Sequence, residues 1–192
     1  VNVHHFAEKI IQELDQHQNF GLEIIISDES EHLLETGGGL LKAAPHLQGS
    51  EPFIAYNVDV LSNINLQKLY RQHLQNKALA TLAVRDRKSS RYLLFDNNKE
   101  LCGWENTKTE ELKMSKATES PQQKAFSGIQ VISPEVFNLI RQKGSFSITH
   151  SYLDLAKKHR IAAYEHNQDY WFDVGKPERL LSAENFLNKY KS

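Results

Sequence analysis

The run Glu35-Thr36-Gly37-Gly38-Gly39-Leu40-Leu41-Lys42, followed by Pro52-Phe53-Ile54-Ala55-Tyr56-Asn57-Val58-Asp59, limits what this chain can fold into more than any other stretch. Three consecutive glycines let the backbone take positive φ and let another group approach the main chain closely. Leu40 to His46 have helical residue types and close at Pro45, so the glycines open a short helix. The unpaired N–H groups of a helix start suit an anion or the edge of a base. The apolar run after Pro52 reads as a buried strand whose far end delivers one carboxylate, Asp59. Ligands of open α/β sheets bind at the carboxyl ends of strands. A glycine turn and a strand-end aspartate on that edge suggest a nucleotide and its metal. The plainer alternative is a flexible turn beside a solvated or helix-capping aspartate.

A chain of 192 residues fits one domain with a substantial core, and the expected domain is residues 1–192. The net charge of −1 gives no electrostatic case for nucleic acid or membrane. No apolar run approaches the roughly 20 residues of a membrane span. The single cysteine, Cys102, forms no intrachain disulfide, and a cytoplasmic setting is expected. Val1-Asn2-Val3 reads as the end of a strand without a preceding Met, so an upstream segment is expected to be missing.

Helix and strand signals alternate along the first part. Phe6, Ile10 and Leu14 mark a helix, Leu22 to Ile26 a strand, and Phe53 to Val60 a central strand. A helix from about Leu66 to Leu74 follows, capped by Asn63 or Asn65. Leu79 to Val84 is a strand that runs into the charged segment Arg85-Asp86-Arg87-Lys88. Asp96-Asn97-Asn98-Lys99 turns a hairpin, and Thr107 to Lys124 reads as a polar loop, either ordered at the active site or mobile. Phe126 to Ile132 is a strand, Thr149 to His159 an amphipathic helix, and Ile161–Tyr164 and Tyr170–Val174 are short strands. Pro177 starts a terminal helix, where its missing N–H costs nothing. The fold class is α/β, a single-domain Rossmann-like mixed sheet.

Four ordered blocks carry a resemblance. They are Val1-Asn2-Val3-His4-His5, Glu35-Thr36-Gly37-Gly38-Gly39, Asn57-Val58-Asp59, and Trp171-Phe172-Asp173-Val174-Gly175-Lys176-Pro177 with the helix after it. Phe126-Ser127-Gly128-Ile129 is a fifth, weaker match. Together they resemble the sugar-1-phosphate nucleotidyltransferases, which make nucleotide-diphosphate sugars. The resemblance implies that the fold here lacks its first strand and its glycine-rich phosphate loop, that the sheet has a gap or is rearranged, and that this chain by itself is inactive.

In the intact enzyme the resemblance implies that a phosphate oxygen of a sugar 1-phosphate attacks the α-phosphorus of a nucleoside triphosphate, and pyrophosphate leaves. Positioning and charge neutralisation then carry the rate. Mg²⁺ is the implied cofactor, held by Asp59 and Asp173, which are also the implied catalytic residues. A cap before the last helix is the plainer role for Asp173. Glu35, Thr36, Gly37 and Gly38 are implied to contact the base, the alternative being a helix-entry turn. Ser127 and Gly128 are implied to face the sugar, the alternative being a small-residue gap in a sheet. Many members place a Glu-Lys-Pro, whose lysine grips the sugar phosphate, where Trp104-Glu105-Asn106 stands here. Asn106 cannot supply that charge. Arg85, Arg87 and Arg91 are candidates to do so within a segment that otherwise reads as a solvated charge run.

UTP is the favoured substrate and GTP the alternative, with a sugar 1-phosphate as second partner. Association of copies through exposed sheet edges is expected. The competing expectation is a non-catalytic module that binds nucleotide sugars or serves assembly.

Overall fold

The computed structural model describes the backbone of residues 1–190. The chain divides into two compact units: Val1–Ser50 with Phe137–Tyr152, and Glu51–Val136 with Leu153–Ser192.

In the first unit, β1 (Asn2–Val3) pairs in parallel with β2 (Ser27–Asp28), and α1 (Ala7–Gln16) lies between them in sequence. The strand expected over Leu22–Ile26 thus sits a few residues later. Its register is set by Ser27 and Glu29 donating to the carbonyls of Val1 and Val3 at 2.8 and 2.7 Å. Then comes α2 (Glu35–Leu47), which contains all three glycines and continues past Pro45. The helix therefore begins ahead of the glycines rather than after them. Val3, Ala7, Ala44, Ile148 and Tyr152 are the buried apolar residues of this first unit.

The second unit is built on an eleven-residue strand. Its elements begin with β3 (Phe53–Tyr56), β4 (Val60–Ser62), α3 (Leu66–Asn76) and β5 (Ala80–Arg85). A meander follows: β6 (Arg91–Phe95), β7 (Leu101–Asn106), β8 (Glu111–Met114) and the long β9 (Gln122–Ile132). Two short helices, α4 (Val136–Leu139) and α5 (Ile148–Leu155), fall at the division between the units. The chain ends with β10 (Ile161–Glu165), β11 (Trp171–Asp173) and α6 (Pro177–Tyr190). The sheet order is β10-β5-β9-β6-β7-β8, with β3 also on β9, while β4 and β11 form a separate pair. Only β10 and β5 run parallel; the other ladders of this mixed sheet are antiparallel.

β9 has a reason to be long. Its first residues, Gln122 to Lys124, pair with β6, and Gln130 to Ile132 lie between β3 and β5. Continuous burial from Ala125 to Ile132, save for half-buried Phe126, matches a strand enclosed on both faces. Ile64, Leu69, Ala83, Ile129 and Val131 form a core cluster with Val60, Leu66, Tyr70 and Tyr164 packed on it. Asn65 caps α3 by accepting from the Lys68 N–H at 2.8 Å, as the sequence leads one to expect.

Two differences from expectation matter for the site. The strand read as Phe53 to Val60 ends at Tyr56, turns, and resumes as β4. The segment read as a polar loop from Thr107 to Lys124 contains β8 and the start of β9. Glu111, Leu112, Lys113 and Met114 are all exposed, so an edge strand of this kind carries little hydrophobic signal.

Candidate active site

The break in the first long strand is what positions Asp59. Between β5 and β9 the register shifts, so that Ser127, Gly128 and Ile129 stand against Ala83 alone. Such a bulge re-aims the strand. At the bulge Gly128 has φ +76°, and a Cβ there would lie 3.0 Å from the Asn57 side chain. The Gly128 carbonyl accepts from the Asn57 N–H at 2.8 Å, and the Asn57 carbonyl accepts from Val60 at 3.0 Å. The turn Asn57-Val58-Asp59 is thus fastened to β9 through a residue that has to be glycine. Gly128 lies beneath the aspartate loop and fixes it.

The second carboxylate reaches the same place by pairing. β11 runs antiparallel to β4 with Asp173 opposite Val60, and the Val174 N–H donates to the Asp59 carbonyl at 2.7 Å. A Cβ built on Gly175 would lie 3.0 Å from Asp59 Oδ2 and 3.4 Å from Asp173 Oδ1. Both carboxylates therefore converge on one point beside the Gly175 backbone. Asp59 is exposed and Asp173 half-buried. The Asp173 carboxylate accepts from the Gly175 N–H at 3.2 Å and pairs with Arg179 in the first turns of α6.

This pair fits a hard divalent ion of the magnesium type. Among the described residues no third His, Cys, Asp or Glu joins the two aspartates to make a metal cluster. The pair suits an ion that takes one or two carboxylates and completes its shell with phosphate oxygens and water.

Ser127 is fully buried, and its polar atoms are used inside the protein. Its hydroxyl lies 2.7 Å from His166 Nε2, and its carbonyl accepts from the Trp171 indole at 2.8 Å. The side chain expected to face a sugar thus ties β9 to the segment bearing His166, and the main-chain carbonyl of the same residue ties it to Trp171. His166 is buried too; burial and the neighbouring Arg85 charge hold its imidazole down to about 4, so it is neutral near pH 7. Sequence reasoning also passed over Lys124, which lies on β9 and donates to Asp86 and Glu165 at 2.9 and 2.8 Å. Its exposure is 9%, and the two carboxylates hold its charged form in place against the cost of burial.

In the first unit, Glu35 starts α2 with φ +56°, and Glu35 and Thr36 are exposed. The positive φ falls on Glu35, whereas Gly37, Gly38 and Gly39 are helical and buried. Their lack of side chains serves close approach. A Cβ on Gly37 would run into the Phe146 ring, one on Gly38 into the Gly144 carbonyl, and one on Gly39 would lie 2.6 Å from Glu29 Oε1. The Gly37 N–H donates to the Phe146 carbonyl at 2.8 Å, and the Thr36 hydroxyl accepts from Ile148 N–H at 3.1 Å.

A family model described as nucleotidyl transferase matches residues 1–190. The chain belongs to this family. The nucleotidyltransferase chain is 28% identical over 192 residues to N-acetylmuramate alpha-1-phosphate uridylyltransferase of Caulobacter vibrioides, covering 96% of itself and 75% of that protein. It is 25% identical over 174 residues to mannose-1-phosphate guanyltransferase beta-A of Xenopus laevis, covering 88% of itself and 45% of the relative. It thus spans less than half the length of the guanyltransferase it matches. Among solved structures it shares the fold of HddC from Yersinia pseudotuberculosis, with a TM-score of 0.70 at 19% identity over 96% of this chain and 76% of that one. UDP-glucose pyrophosphorylase complexed with UDP-glucose gives a TM-score of 0.64 at 18% identity, over 95% and 73% of the two chains. The α/β reading and the family resemblance are both borne out. No helix among the described residues is long and apolar enough to cross a membrane.

Proposed function

We propose that this nucleotidyltransferase chain serves the transfer of a uridylyl group from UTP to a sugar 1-phosphate, with GTP as the alternative donor. The observation that supports it most is the convergence of Asp59 and Asp173, far apart in sequence, on the flank of Gly175. In the reaction a P–O bond forms between a sugar-phosphate oxygen and the α-phosphorus. The bond from that phosphorus to the β-phosphate oxygen breaks, and the electron pair leaves with pyrophosphate. The attacking oxygen is already anionic, so the protein provides no nucleophile and its task is to align two polyanions. A bound Mg²⁺ supplies the neutralisation of their charge.

The chain's own residues have distinct parts in this reading. Asp59 and Asp173 hold the cation. Gly128 and Asn57 keep the Asp59 turn against β9, and Gly175 leaves room between the carboxylates. Arg179 pairs with Asp173 and holds that carboxylate in place when no divalent cation is bound to it. Of the four residues expected to contact the base, Glu35 and Thr36 are the exposed ones and keep that proposed part, whereas Gly37 and Gly38 are buried and the Gly37 N–H is already given to the Phe146 carbonyl.

Calorimetric titration of UTP, GTP, N-acetylmuramate 1-phosphate and mannose 1-phosphate, each with Mg²⁺, tests the assignment. Tighter binding of UTP than GTP, together with binding of one of the sugar phosphates, is the expected outcome. GTP binding more tightly would reverse the base assignment, and no binding of any of the four would remove the reading altogether.

A further inference from the structure

Arg87 is the cation in this site with the least conventional surroundings. The segment after β5 reads as a solvated charge run, yet the Arg87 guanidinium lies over the Trp171 ring at 4.5 Å and is half-buried. Its Nη2 donates to the Phe126 carbonyl at 3.0 Å and its Nη1 to the Lys88 carbonyl at 3.4 Å. Nε is buried with no hydrogen-bond partner. A guanidinium has five N–H donors, so each terminal nitrogen keeps one N–H in addition to the bond it makes.

Its neighbours set it apart from the other cations of the unit. Lys124 is held by Asp86 and Glu165, Lys116 and Arg160 by Glu100, and Arg179 by Asp173. Arg85 donates to the Asp169 carbonyl, and Arg91 is exposed. Among the described residues Arg87 has no ion pair. Burial and the charges of Arg85 and Arg179 press against its charged state, and Asp173 and Tyr92 favour it. A cation taken partly out of water and left without a carboxylate is costly unless an anion arrives.

Its placement says which anion. Phe126 precedes Ser127-Gly128 at the bulge, and Trp171 opens the strand that ends in Asp173. Arg87 is therefore fastened to both segments of the site. A planar guanidinium held face-on by an indole presents its terminal N–H groups in a fixed plane, which matches two oxygens of one phosphate.

We propose that Arg87, pinned between Trp171 and the Phe126 carbonyl, is the group that grips the phosphate of the sugar 1-phosphate. The proposal rests on the nucleotidyl-transfer reading and names the residue that binds its second substrate. It also answers the charge that Asn106 does not supply.

The test is calorimetry on the chain and on Arg87→Gln, Arg87→Lys and Lys88→Gln, titrating mannose 1-phosphate, N-acetylmuramate 1-phosphate and, separately, Mg²⁺ with UTP. The expected result is a loss of about tenfold or more in sugar 1-phosphate affinity for Arg87→Gln, the scale of a charge-assisted hydrogen bond. Arg87→Lys restores part of it, Lys88→Gln changes it less than about twofold, and nucleotide affinity is retained in all three. Retained nucleotide affinity also certifies that the variants fold. If Arg87→Gln keeps the sugar 1-phosphate affinity of the parent, or loses nucleotide and sugar phosphate affinity equally, the proposal is overturned while the nucleotidyl-transfer reading stands. If the parent chain binds neither sugar phosphate nor nucleotide, both are overturned.

Discussion

At the scale of single residues, two glycines decide where the carboxylates sit, and neither can carry a side chain without a specific consequence. Gly128 combines φ +76° with a Cβ position 3.0 Å from Asn57. Gly128→Ala is expected to cost about 1–2 kcal/mol from the left-handed backbone alone, read as a shift in urea midpoint. The same substitution weakens Mg²⁺-dependent nucleotide binding, because the Asn57-Val58-Asp59 turn must move; an unchanged affinity would show that the turn is not fastened there. Gly175→Ala places a methyl 3.0 Å from Asp59 Oδ2. It should leave the melting temperature nearly unchanged, since Gly175 is exposed, and reduce Mn²⁺ affinity as measured by electron paramagnetic resonance. Equal Mn²⁺ affinity in the variant would contradict convergence of the two carboxylates on that point. Asp59 and Asp173 stand out as candidates in the sequence because each ends an apolar or aromatic run. Gly175 does not, because what defines it is its closeness to Asp59, remote in sequence, and Arg87 is one of three arginine candidates in the sequence that only its contact with Trp171 sets apart.

At the scale of elements, α2 shows how local propensity can be overruled. Glycine is a poor helix former, so three in a row read as a turn ahead of a helix. They lie inside the helix because Phe146, Gly144 and Glu29 come too close for any Cβ. Gly37→Ala is accordingly expected to destabilise the first unit by about 1–3 kcal/mol through overpacking, visible as faster amide exchange in α2. Unchanged exchange would mean that Phe146 can move aside. The opposite lesson comes from α3 and the β6–β7 hairpin. Asn65 as cap and Asp96-Asn97-Asn98-Lys99 as turn are local signals, and both elements appear where the residues place them. β8 escaped because a four-residue exposed edge strand has almost no apolar pattern to read.

At the scale of the whole molecule, two buried histidines tie separate elements together and set its acid response. His73 on α3 lies 3.0 Å from both Thr81 Oγ1 on β5 and Ser133 Oγ after β9, and burial holds its imidazole down to about 4. His166 is held down to about 4 as well. A histidine depressed from 6.5 in the fold is protonated first in the unfolded chain, which then binds more protons. Stability is therefore full above about pH 6.5, falls as pH drops through the interval to about 4, and levels off below it. Chemical denaturation at pH 7.5 and pH 5 should show a clear loss at the lower value, and equal stability at both would contradict the burial of neutral imidazoles. The central claim is that Asp59 and Asp173 together hold the cation that a nucleotide brings. The direct measurement is the Mn²⁺ paramagnetic resonance signal on titrating UTP into the chain and into Asp59→Ala and Asp173→Ala. The account predicts UTP-dependent capture of Mn²⁺ that either substitution weakens about tenfold or more, the scale of losing one charged ligand of a two-carboxylate site. Capture of equal strength in both variants would contradict it.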